Sequence, residues 1–190
     1  MSPGSLRRTH YALIVAALMP VVVSMGAVAR VADAQTHPPD VRFVATLPDV
    51  VDTMLAAARV TSADTVYDLG SGDGRIVIAA AKKYGAHGVG IEINPLLVAE
   101  SNASAREAGV SGLVQFIQGD LFTADFSAAT VVTLYLSPSL NERIKPRLLH
   151  ELRPGTRVLS NTYDMLGWTA DERLDVDGRW VFLWTVPAKK

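Results

Sequence analysis

The sequence contains no cysteine. That single absence removes disulfide frameworks, thiolate metal sites, iron–sulfur clusters and cysteine nucleophiles. Histidine is scarce as well: His10, His37, His87 and His150 show no ligand spacing, so no metal site is expected. Positive charge has no surplus either. Eighteen Lys+Arg stand against nineteen Asp+Glu, a net charge of −1, which disfavours a dedicated nucleic-acid binder. Whatever chemistry the chain performs must come from carboxylates, hydroxyls, backbone groups or a borrowed cofactor. What is abundant is apolar surface: 49% of the 190 residues are hydrophobic and 19% charged, the composition and size of one compact domain.

Part of that apolar excess sits at the start. Arg7 and Arg8 precede an uncharged run from Tyr11 to Ala29, and Ala32-Asp33-Ala34 then places small residues before Gln35. This is the layout of an export signal, residues 1–34, with an uncleaved inner-membrane anchor as the competing reading because the run approaches membrane-spanning length. Pro20 and Gly26 interrupt it. The charge asymmetry of Arg7 and Arg8 over Arg30 puts the following domain outside the cytoplasm, in the periplasm or tethered to the membrane; a start codon placed too far upstream would instead leave a cytoplasmic protein. Setting aside residues 1–34, which carry Arg7, Arg8, Arg30 and Asp33, leaves 15 basic and 18 acidic residues, a mildly acidic domain.

Residues 35–48 read as a linker and lead-in segment, and 49–190 as the domain. Val51, Met54, Leu55 and Ala58 recur at i, i+3, i+4, i+7, one face of a first helix beginning near Asp49. Strands are expected at 65–69, 88–93, 114–118, 130–136 and 156–161, with helices over 75–84, 95–108 and 139–152, the last disturbed by Pro146. Strands apolar on both faces and separated by helices predict a doubly wound parallel sheet. The end departs from that rhythm: strands at 174–176 and 180–186 flank Asp177-Gly178, the signature of a tight antiparallel hairpin. Five parallel-type strands plus a terminal hairpin predict an α/β, Rossmann-like, seven-stranded sheet in a single domain.

The strongest chemical signal is VYDLGSGDGR, Val66 to Arg75: a carboxylate at a strand end, three glycines, then a helix. In an open α/β sheet ligands bind at the carboxyl ends of the strands, where this loop lies. Gly70, Gly72 and Gly74 let backbone approach a ligand closely, with Ser71 between them. The spacing is not G-x-G-x-x-G, and Asp73 stands beside the helix N-terminus that a pyrophosphate would need free of negative charge. Asp68 and Asp73 therefore suit a cationic cofactor, S-adenosylmethionine (SAM), better than a dinucleotide. Glu92, ending the second strand beside Asn94, is placed to accept from ribose hydroxyls. Asp120, with Leu121 and Phe122, supplies a carboxylate for an adenine amine and apolar side chains beside the ring.

These residues, from VYDLGSGDGR through GVGIEINP, resemble motifs I and II of the class I SAM-dependent methyltransferases. From about Phe43 to Asn161 the chain is similar to the ATP synthase c-subunit lysine N-methyltransferase family and its bacterial relatives. Ala45-Thr46-Leu47-Pro48 stands where that family has a Thr-Pro segment, interrupted here by Leu47. The resemblance implies an enzyme that transfers the SAM methyl group in line to a lysine amine of a protein, membrane proteins among the candidates; separately, a monomer is expected, and the apolar run 11–29 allows membrane association. It places Tyr135, after the fourth strand, in the methyl-transfer site as the catalytic candidate, with Ser137, Asn161 and Tyr163 behind it.

Three rival readings remain open: a SAM-binding module without catalysis, a methyltransferase acting on a small molecule or lipid, and an NAD(P) oxidoreductase. Other patterns carry less. Ser71 lacks the G-x-S-x-G context of a nucleophile elbow. Trp168, Trp180 and Trp184 read as hairpin and core packing rather than a methyl-lysine cage.

Overall fold

A computed structural model describes residues 43–189. The leader and most of the linker therefore lie outside the described residues. The order is α1 (Pro48–Ala57), β1 (Thr65–Leu69), α2 (Arg75–Tyr84), β2 (His87–Glu92), α3 (Pro95–Glu107), β3 (Val114–Gln118), β4 (Val131–Leu134), α4 (Pro138–Glu151), β5 (Arg157–Asn161), β6 (Glu172–Val176) and β7 (Arg179–Thr185). The seven strands form one sheet in the order β3-β2-β1-β4-β5-β7-β6. β1 to β5 pair in parallel, and β7 runs antiparallel between β5 and β6. The strand order reverses beside β1, between β2 and β4, which makes that strand's carboxyl end the switch point where a crevice opens.

Local chemistry accounts for the boundaries. Asn94 accepts from the Leu96 N–H at 3.0 Å and Pro95 fills the first turn of α3. Ser137 caps α4 in the same way, its hydroxyl accepting from Leu140. The hairpin turn holds Asp177 and Gly178 at φ 49° and 82°, the paired positive values of a type I′ turn. α4 runs unbroken through Pro146, whose exposed position confines the lost backbone bond to the solvent side.

Each sheet face buries its own core. One holds Val50, Met54 and Leu55 of α1 and Ile76, Val77 and Ala80 of α2 against Val66, Val131 and Leu159. The other holds Ile144 and Leu148 of α4 with Phe126, Met165 and Trp184 against Leu69, Val132 and Val158. Trp184 is fully buried, its ring centroid 5.8 Å from those of both Trp168 and Phe182, and its indole N–H donates to the Trp168 carbonyl at 2.7 Å. The expectation of strands apolar on both faces fails for β3: of VQFIQ only Phe116 is buried, because β3 is a sheet edge. Among the described residues no helix is long and apolar enough to cross a membrane.

Candidate functional site

The carboxyl ends of β1, β2, β3 and β4 surround an open cleft that encloses about 980 Å3 of space, its mouth included. Asp68, Gly70, Ser71, Asp73, Glu92, Asn94, Asp120, Leu121 and Tyr135 all line it. The topology thus brings the predicted acids of three strand ends to one wall.

The glycine loop is held from below. Gly70 and Ser71 donate to the Ile91 carbonyl at 2.8 and 3.0 Å, and Gly74 donates to the Ser71 carbonyl at 2.9 Å. Gly72 donates to Glu92 Oε2 at 2.9 Å, while Asn94 donates to Glu92 Oε1 at 2.8 Å. Arg75 N–H meets Asp73 Oδ1 at 3.3 Å. Each of these loop N–H groups therefore has an internal acceptor. With these donors engaged and the Asp73 carboxylate beside the start of α2, the loop favours a cofactor without phosphate over a dinucleotide. From α3 the buried Ser101 hydroxyl reaches the Gly72 carbonyl at 3.0 Å and the Leu97 carbonyl at 2.8 Å, tying loop to helix.

Close approach explains Gly90. A Cβ there would stand 2.6 Å from both a Phe116 ring carbon and Ser71 Oγ, so β2 admits no side chain where the loop passes over it. Ser71 Oγ points into that contact, buried and without a hydrogen-bond partner among the described residues.

The electrostatics favour a cation. Asp68 is 3% exposed and accepts from the Thr133 hydroxyl at 2.8 Å. Burial pushes its carboxyl pKa up to about 7; the Thr133 hydrogen bond opposes this, and the negative charges of Glu92 and Asp73 reinforce it. Asp73 is offset in turn by Arg75, whose Nε lies 2.9 Å and Nη2 2.5 Å from the carboxylate. Asp120 is half-buried and accepts from the Phe122 N–H at 2.8 Å. Arg147 of α4 fastens the loop after it, donating to the carbonyls of Leu121 at 3.0 Å and Ala124 at 2.8 Å.

Tyr135 is half-buried on the cleft wall next to Leu136 and Leu140. Of the secondary candidates, Ser137 is engaged as the α4 cap, and Asn161 is buried with its Nδ2 donating to Thr46 Oγ1 at 3.4 Å. Tyr163 is 36% exposed. Sequence reasoning missed Thr133, Ser101 and the role of Arg75, which donates to the Thr46 carbonyl at 2.8 Å.

Comparison with known proteins agrees with this geometry. The model of the ANTKMT methyltransferase domain matches residues 68–172. The chain belongs to the ANTKMT methyltransferase family. This methyltransferase is 43% identical over 143 residues to a protein-lysine N-methyltransferase of Saccharolobus islandicus (strain REY15A), covering 75% of the chain and 89% of that relative. It is 38% identical over 117 residues to the ATP synthase c-subunit lysine N-methyltransferase of mouse (Mus musculus), covering 60% of the chain but only 47% of that longer protein. Among solved structures, an RNA methyltransferase from Salinibacter ruber in complex with S-adenosyl-L-homocysteine superposes with a TM-score of 0.76 at 54% identity, over 77% of this chain and 96% of that one.

The cleft fits SAM on its own chemistry: a loop with its donors engaged, a buried carboxyl in need of a cation, and acids at successive strand ends. Asp68 would hold the cationic amino-acid end, Glu92 the ribose hydroxyls, and Asp120 with Leu121 and Phe122 the adenine.

Proposed function

We propose that this methyltransferase modifies lysine side chains of protein partners. The observation that carries the cofactor half of this reading is the glycine loop whose N–H groups serve Ile91, Glu92, Ser71 and Asp73, which leaves a carboxylate-lined cleft suited to a cation. Bound SAM supplies a methyl group on a sulfonium, which departs as a neutral thioether. The chain's own part is alignment and desolvation. A lysine amine attacks only when uncharged, and its ordinary pKa of about 10.4 falls in an apolar passage. Val44, Leu136, Leu140 and Tyr135 line the cleft and provide such walls. Tyr135 serves as a wall and as a hydrogen-bonding group for the amine.

The protein acceptor is supported by likeness to the Saccharolobus relative along most of both chains. Likeness to the Salinibacter RNA methyltransferase favours RNA instead. Charge argues against that second reading, since a chain of net charge −1 offers little to a phosphate backbone. The two separate in one assay: radiolabelled methyl transfer from SAM by the full-length protein into cell-envelope proteins and into total RNA, with Asp68→Ala as control. Protease-sensitive label that hydrolyses to methyl-lysine is expected. Nuclease-sensitive label refutes the protein reading, label extracted with lipids or small molecules moves the acceptor there, and SAM binding without transfer identifies an inert module.

Residues 1–34 are further proposed as an export signal or membrane anchor, which places the acceptor among envelope proteins. N-terminal sequencing of the protein isolated from its own cells tests this. A mature start at Gln35 agrees with cleavage, an intact Met1 in the membrane fraction agrees with an anchor, and an initiator methionine placed beyond Ala29, the mark of translation from a later start, refutes both forms.

A further inference from the structure

In the lead-in segment just before α1, residues 43–47 cross the carboxyl edge of the sheet as an irregular strap. The strap is fixed at one end. Thr46 is 5% exposed; its carbonyl accepts from Arg75 Nη1 at 2.8 Å, and its hydroxyl accepts from Asn161 Nδ2 at 3.4 Å. Arg75 is itself oriented by the Asp73 carboxylate, and Asn161 by the Thr162 hydroxyl at 2.9 Å. The strap is thereby joined to the glycine-loop helix on one side and to β5 on the other.

Its other end is apolar and lies at the cleft. Phe43 and Val44 both line the cleft while remaining 43% and 60% exposed. The Phe43 ring sits directly on the loop: a Cβ placed on Gly72, which adopts φ +55°, would lie 2.1 Å from Phe43 Cε2 and 2.6 Å from Cδ2. Two constraints therefore converge on Gly72, a left-handed backbone and an aromatic face against it. A ring placed only to complete a core would be buried, and this one spends its contact on the loop that bounds the cofactor cleft.

We propose that Phe43 is a cofactor-positioning residue whose ring, seated on Gly72 and held in place through Thr46, forms the closing wall of the cleft and retains the bound cofactor. The inference rests on the reading of the cleft as a SAM site. Calorimetric titration of the full-length protein with S-adenosylhomocysteine, alongside Phe43→Ala and Phe43→Leu, tests it. Phe43→Ala is expected to raise Kd about tenfold, equivalent to about 1.4 kcal/mol, and Phe43→Leu to recover most of the loss. The thermal midpoint of ligand-free protein should stay unchanged in both variants while the ligand-induced rise in midpoint shrinks in Phe43→Ala. Wild-type affinity in Phe43→Ala overturns the proposal alone. So does a loss of affinity matched by a drop in the ligand-free midpoint, which would make the ring a structural prop. Failure of the wild-type protein to bind the ligand overturns the SAM reading and the proposal with it.

Discussion

Replacing Asp68 by Asn should make the ligand-free protein more tolerant of alkaline pH while abolishing cofactor binding. The buried carboxyl has a folded pKa of about 7 against an ordinary 3.8. The sign follows directly. Between those two values the folded chain binds more protons than the unfolded chain, so stability falls as pH rises through the window and levels off above about 7. At about 1.4 kcal/mol per pKa unit, the ionised carboxyl costs on the order of 4 kcal/mol, of which about 2–3 kcal/mol develops between pH 5 and pH 8. Asn keeps a side-chain oxygen for the Thr133 hydroxyl and does not titrate, so the comparison isolates the charge. Urea unfolding of both proteins without ligand, at pH 5 and pH 8, reads the effect as a difference between differences. The variant should gain about 2–3 kcal/mol on wild type over that interval. Calorimetry should find no SAM binding to the variant, and for wild type a proton released on binding below pH 7, seen as a dependence of the heat on the buffer. Parallel stability curves for the two proteins would refute the argument, because they would mean that Asp68 ionises without penalty.

Glu92→Gln replaces one of two acceptor oxygens with a donor facing the N–H of Gly72 or Asn94, so it should cost about 1–3 kcal/mol in urea unfolding and remove SAM binding. Gly90→Ala forces a methyl within 2.6 Å of Phe116 and Ser71; a loss of about 1–3 kcal/mol is expected, and unchanged stability would mean that the loop shifts freely. Asp64→Asn should destabilise by about 1–3 kcal/mol at pH 7, with the gap from wild type closing as the pH is lowered below the ordinary carboxylate range. Tyr135→Phe keeps the wall and removes the hydroxyl, so it should lower kcat several-fold with SAM affinity unchanged, in the methyl-transfer assay and calorimetry respectively.

Sequence made the scaffold legible where the signal is local. β1 and β3 fall at their expected bounds, and the Asp177-Gly178 turn takes the backbone its residue types require. The acids of the cleft were legible for a related reason: a strand end followed by a turn is visible in the chain, and the fold then gathers such ends on one edge. What escaped is what spans distance. Thr133 meets Asp68 across 65 residues, Ser101 meets Gly72 across 29, and Asn161 meets Thr46 across 115. A hydroxyl in an apolar strand or on a helix carries no periodic mark of its partner. The edge character of β3 was hidden for the same reason, because strand order is decided by tertiary packing and not by the composition of VQFIQ.

Two acids at the opposite ends of one strand show how the same side chain becomes scaffold or site. Asp64, just before β1, is 6% exposed, and burial alone would raise its pKa. Hydrogen bonds from Thr130, from the Thr61 N–H and from Arg157, together with the Arg157 charge, outweigh that and hold the carboxyl below its usual range. Its ionised form is therefore stabilising above the ordinary carboxylate pKa and is lost as acid titrates it. Asp68, four residues on, is more deeply desolvated, with one hydroxyl partner and two like charges nearby, and its pKa moves the other way. The difference lies in depth and partners: the amino end of the sheet supplies a hydroxyl, an N–H and a guanidinium, and the carboxyl end faces an open cleft. A chain that carries Asp68 at a cost to its own stability near neutral pH is arranged to receive positive charge from outside, and the sulfonium and ammonium of SAM are charges of that kind.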